Sequence, residues 1–176
     1  DLAQEAYSEA IYLHQNSEFD NNNLWLLYFF RGIALEQLKN YEKSKQDLRK
    51  SLAMMPDQPQ VLNYLGYMMI EQKENLAEAL GMIRKAVKIS PQSGYIIDSL
   101  AWGLYQLGRY SEAIEPMERA IELEPEDPIV NDHLGDVLWK VGRKREAYYQ
   151  WKKTLLFNPT PALKLEIEKK LDTGLP

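Results

Sequence analysis

The sequence predicts an all-α chain of antiparallel helix pairs stacked one on the next, and three observations predict it. The stretch "LGRYSEAIEPMERAIELEP" at 107–125 returns as "VGRKREAYYQWKKTLLFNP" at 141–159, with Gly108 and Gly142, Ala113 and Ala147, and Pro125 and Pro159 each 34 residues apart. A period of that length marks supersecondary units that pack in a row. Apolar residues also recur at helical spacing, and nine glycines and nine prolines are few for an all-β chain. Of the 176 residues 45% are hydrophobic, enough to bury a continuous core, and 1–176 is expected to form a single domain.

Taken in order, residues 1–15 match only a second helix, with Ala3, Tyr7 and Ala10 in register, and form a half-repeat. Residues 25–58 make a repeat with Tyr28, Gly32, Leu35, Tyr41, Leu48 and Pro56, in which Ser44 and Ser51 stand where other units have alanine. Residues 59–93 supply Leu62, Leu65, Gly66, Ala79, Ile83, Ala86 and Pro91, and run one residue long through "KENLAEA". In 94–127, Leu100, Ala101 and Leu104 share one helix face, Gly108 and Arg109 turn the chain, and Ala113, Met117 and Ala120 share the next face. Pro125 closes the pair, because the residue before a proline disfavours the α region. Residues 128–161 repeat the design with Leu134, Gly135, Leu138, Ala147, Trp151 and Pro159, and 162–172 form a polar-backed capping helix.

Small residues recur in one slot of each first helix: Gly32, Gly66, Ala101 and Gly135. There the second helix crosses closely, and a bulky side chain would overpack the seam.

These residues together resemble the tetratricopeptide repeat (TPR) family. The resemblance rests on Leu65-Gly66 and Leu134-Gly135, the turn Gly108-Arg109-Tyr110, the Ala113 and Ala120 pair, and Pro125. It implies a right-handed superhelical solenoid whose first helices line a concave groove. It further implies that Asn63, Tyr64, Tyr67, Tyr95, Asp98, Trp102, Tyr105, Asp132, His133, Asp136 and Trp139 face that groove. Such a face is aromatic and acidic, and suits a peptide or protein segment with apolar anchors and basic residues. The positions at which one subtype clamps a chaperone's C-terminal carboxylate hold Phe29, Ile33, Tyr64, Tyr95 and Ser99 here. A one-unit shift gives Asn63, Tyr67, Ser99, Ile129 and His133, and neither set has the basic pair a carboxylate needs.

Other chemistry finds little support. A net charge of −5 argues against nucleic acid as a partner, and the absence of cysteine removes disulfides and thiolate sites. "DHLGD" offers His133 and Asp136 on one helix face, too few ligands for a metal site, so no metal and no cofactor is expected. No GxSxG elbow, phosphate-cradling loop or HExxH helix occurs, and no catalytic residue is assigned. The basic run at Lys140–Arg145 is expected to solvate a ridge. The expected function is therefore a non-enzymatic interaction scaffold, with self-association into a homodimer through an open end of the stack as the alternative. "NDHLGDVLWKVGRKREA" and the long "KENLAEA" turn further resemble the C-terminal half of proteobacterial envelope TPR adaptor lipoproteins. That implies the periplasmic side of a bacterial envelope, lipid-anchored through an upstream segment, with the cytoplasm as alternative.

Overall fold

The computed structural model describes residues 2–16 and 23–175, and among them ten helices and no strand. Asp1, the first residue of the expected half-repeat, lies outside the described residues. The helices are α1 (Leu2–Gln15), α2 (Leu24–Gln37), α3 (Tyr41–Met54), α4 (Pro59–Glu71), α5 (Leu76–Ile89), α6 (Gly94–Gln106), α7 (Tyr110–Leu123), α8 (Pro128–Lys140), α9 (Lys144–Thr154) and α10 (Pro161–Thr173). Where the sequence suggests one domain, the chain divides by compactness into two units, Asp1–Leu65 and Gly66–Pro176. Repeats hold together through neighbour contacts alone, so such a boundary can fall inside a helix.

In the first unit, Ile11, Leu24 and Tyr28 bury against one another and join α1 to α2. Polar ties flank this seam. Gln15 donates to the Tyr28 hydroxyl at 2.9 Å, and Arg31 grips Asp47 with two bonds of 2.6 and 2.9 Å. Between α2 and α3 the glycine slot is tight, since a β-carbon on Gly32 would lie 2.9 Å from Leu48. Ser44 fits the buried alanine slot because its hydroxyl donates to the Gly32 carbonyl at 2.7 Å.

In the second unit, Leu80, Ala101, Leu104, Ala113, Met117, Leu134, Val137, Leu138, Ala147, Trp151 and Ile167 form one buried cluster. Its close crossings depend on small residues. A β-carbon on Gly66 would meet Ile83 at 2.7 Å, and one on Gly135 would collide with the Trp151 indole. Asp127 caps α8 by accepting from the amides of Ile129 and Val130 at 2.8 and 3.0 Å, with Pro128 opening the helix.

Each first helix of a pair ends in the same way. Gly108 and Gly142 adopt positive φ of 73° and 85°, and the amides of Arg109 and Arg143 reach back to the carbonyls of Leu104 and Leu138 at 2.9 Å. Lys39 and Lys73 hold this slot after α2 and α4, with φ of 60° and 56°. A lysine in that region is strained where glycine is not.

Candidate functional site

Helices α6 and α8, with the end of α4, carry most of the residues singled out from the sequence. Tyr67, Trp102, Asp136 and Lys170 occupy equivalent positions of α4, α6, α8 and α10, each about one repeat from the last. Around this row the helices of the second unit are tied by side chains. Trp102 donates its indole N–H to Glu71 at 2.7 Å, joining α6 to α4. His133 donates from Nδ1 to both oxygens of Asp98 at 2.9 and 3.0 Å, joining α8 to α6. Lys170 donates to Asp132 at 2.8 and 2.9 Å and to Asp136 at 2.9 Å, joining α10 to α8. In this unit α4, α6, α8 and α10 are each clamped to the next.

The carboxylates are therefore engaged inside the protein. Asp98, Asp132, His133 and Asp136 are all buried, and Asp136 also accepts from the Trp151 indole at 2.9 Å. The sequence suggests these acids as open negative charge for a basic partner; the structure gives each a cation or donor of the chain's own. His133 and Asp136, paired in the metal reading, turn to different partners. Burial pushes the Asp132 carboxyl up to about 6, helped by Asp136 and opposed by Lys170, and Asp136 is raised for the same leading reason. Burial works against charge on the His133 ring, but Asp98, with Asp132 and Asp136, outweighs it and the imidazole is raised on balance.

The aromatic residues form a floor. The Trp102 ring stacks on Tyr105 at 4.7 Å and 8°, and on His133 at 4.0 Å and 11°. Stacking on Tyr105 and His133 and the N–H bond to Glu71 together fix the orientation of the Trp102 ring. Trp139 is similarly bound, donating to the Leu175 carbonyl at 2.9 Å and packing on Trp151 and Tyr148. Burial, with Glu71 and Asp98 nearby, raises the Tyr67 hydroxyl well above the usual phenol range, and burial with Asp136 does the same for Tyr105. Both stay protonated donors.

Tyr95 is exposed at 49%, and Ile129, 34 residues later, at 51%. These two offer free apolar surface on α6 and α8. Asn63 and Tyr64 belong to the first unit, where Asn63 is buried and Tyr64 donates to Glu36 at 3.1 Å with its ring edge-on to Phe29. The structure thus joins Asp98, Trp102, Tyr105 and His133 in one cluster, and Asp132, Asp136 and Trp139 in another. Sequence reasoning missed the role of Lys170, which the capping-helix reading treated as solvated. Its position 34 residues after Asp136 was the signal.

This arrangement is that of a helical repeat protein, and the comparisons agree. A family model described as "Tetratricopeptide repeat" matches residues 27–58, and one described as "TPR repeat" matches residues 104–142. The chain carries tetratricopeptide repeats, a fold that is generally non-catalytic and serves protein interaction. A TPR repeat-containing protein of Pseudomonas aeruginosa is 32% identical over 86 residues, a match covering 49% of this chain and 15% of that protein. Among solved structures, a thermophilic TPR protein of Thermus thermophilus aligns with a TM-score of 0.73 at 19% identity, covering 97% of this chain and 93% of that one. MamA from Desulfovibrio magneticus RS-1 aligns at 0.71 and 20% identity, covering 89% and 88%. At such identities these two likenesses speak for the fold.

Proposed function

We propose that the protein is a non-enzymatic scaffold that holds a peptide or protein segment against the face formed by α6 and α8. The observation that carries this reading is the floor of Tyr105, Trp102 and His133, fixed by stacking and by hydrogen bonds to Glu71 and Asp98. A floor fixed before binding removes part of the ordering cost of association. Tyr95 and Ile129 stand at its edge as the exposed anchors, and the fold's general role in protein interaction supports the assignment. Because Asp98, Asp132 and Asp136 are already countered, apolar side chains of the partner supply most of the affinity and its basic residues little.

Selection from a displayed random-peptide library, followed by titration of the enriched peptides, tests the reading. Tyr95→Ser with Ile129→Ser should weaken binding at least about tenfold while leaving the fold intact, and Trp102→Ala should cost on the order of 2 kcal/mol. Equal affinity for all three proteins would refute it. A second reading is self-association, favoured by α1, where Leu2, Tyr12 and Leu13 are exposed. Light scattering across a concentration series separates the two. Location on the periplasmic side of a bacterial envelope remains part of the proposal, and fractionation of cells making the protein tests it.

A further inference from the structure

We propose that the outer face of α9 is a docking surface for an anionic lipid bilayer. Residues 140–157 hold six cations against Glu146 alone, a net +5 in a chain whose total is −5, so the remainder carries −10. Charge that uneven calls for a partner of opposite sign. Part of it is already used. Arg143 pairs with Glu118 and Glu146 at 2.9 and 2.6 Å, Lys144 lies 4.6 Å over the Trp139 ring, and Lys153 lies 5.5 Å over Phe157. Arg145 and Lys152, both exposed, meet no acidic partner among the described residues.

Arg145, Tyr149 and Lys152 follow at helical spacing on α9, and Leu156 comes in the turn after it. Tyr149 is 66% exposed and Leu156 75%. Thirty-four residues earlier the same slots hold Ser111, Glu115, Glu118 and Glu122, all exposed. In α5 they hold Ala77, Gly81, Arg84 and Lys88, again all exposed. The row faces water in all three second helices of this unit, so its exposure belongs to the repeat register. A solvated face ordinarily carries small or polar residues, as α5 and α7 do. The α9 row departs from this, with two large apolar side chains interleaved with two cations.

A bilayer surface matches that alternation. Lipid phosphates accept from Arg145 and Lys152, the Tyr149 ring lies at headgroup level, and Leu156 reaches the acyl boundary. A flat surface meets a ridge without needing a groove, whereas a protein helix laid on one exposed ridge buries little area. The segregated charge also fixes orientation, with the basic segment toward the lipid and the acid-rich remainder away from it. A second copy of the chain fits less well. Its α7 row offers acids but no apolar complement, and Glu118 and Glu122 are paired with Arg143 and Arg119.

Co-sedimentation with vesicles of phosphatidylglycerol and phosphatidylcholine in equal parts tests the proposal. The protein should pellet with these vesicles at low salt, be released as salt rises, and stay in solution with phosphatidylcholine alone. Arg145→Gln with Lys152→Gln should lower partitioning by about 25-fold, from the contribution of each cation near an anionic surface. Tyr149→Ser with Leu156→Ser should lower it by about tenfold through loss of interfacial apolar contact. Glu115→Gln, in the matching row of α7, should bind as wild type does. The proposal is overturned if the wild type ignores the anionic vesicles, or if both double variants bind them undiminished. Binding of an amphipathic peptide alternating Leu and Glu, with no binding of vesicles, overturns it too and assigns the face to an acidic protein.

Discussion

Two buried carboxylates, Asp132 and Asp136, share one ammonium, that of Lys170. Removing the cation leaves both charges in a poor solvent, so Lys170→Met should cost about 3–5 kcal/mol in a denaturant titration. Asp132→Asn leaves a one-to-one pair and removes a carboxylate that burial disfavours, so it should be neutral to stabilising at pH 7. The same variant should flatten the pH dependence of stability in the mildly acid range. With the folded Asp132 carboxyl near 6 and its unfolded value 3.8, the native state binds the extra proton between them. Stability therefore falls as pH rises through that window, and Asp132→Asn should reduce this slope, leaving the part that the raised Asp136 carboxyl contributes. His133 acts with the same sign at higher pH. Its raised imidazole contributes fully below the unfolded value of 6.5, and the contribution is lost as pH rises through the folded value. Little of this was legible beforehand, because residue type alone does not say which ammonium a carboxylate will find.

At the level of helices, the small-residue slots were readable and the turn strain was not. Gly32, Gly66 and Gly135 recur with the period, and the structure sets Leu48, Ile83 and Trp151 against them. Gly135→Leu should destabilise by about 3 kcal/mol or more, and a melting temperature that hardly moved would contradict the crossing. The positive φ at Lys39 and Lys73 had no mark in residue identity. It follows from their standing in the slot where later units have Gly108 and Gly142. Lys73→Gly should stabilise by about 0.5–1 kcal/mol, the relief of left-handed strain less the entropy glycine loses on folding. Denaturant midpoints of the two proteins measure it.

For the second unit as a whole, the clamps run from α4 to α10 through Trp102, His133 and Lys170, and the apolar cluster runs from α5 to α10. Helices with neighbours on both sides should open least often. Hydrogen exchange should therefore be slowest in α6, α7 and α8 and faster in α10, whose outer side meets solvent at Leu165, 70% exposed. Uniform protection across these helices would mean the unit opens in one step. Lys170→Met should raise exchange in α10 and α8 first, since it cuts the tie between them.

The sequence by itself determined the all-α class, the helix pairs and their period, and the places where only glycine or alanine lets helices cross. Those features are local or periodic, and a 34-residue spacing exposes them without coordinates. Tertiary structure alone decided what the polar residues of α6 and α8 do. Asp98, Asp132 and Asp136 are buried, and His133 and Lys170 reach them across 34 to 38 residues of chain. Burial forces each such charge to find a partner, and which partner is within about 3 Å depends on how neighbouring helices pack.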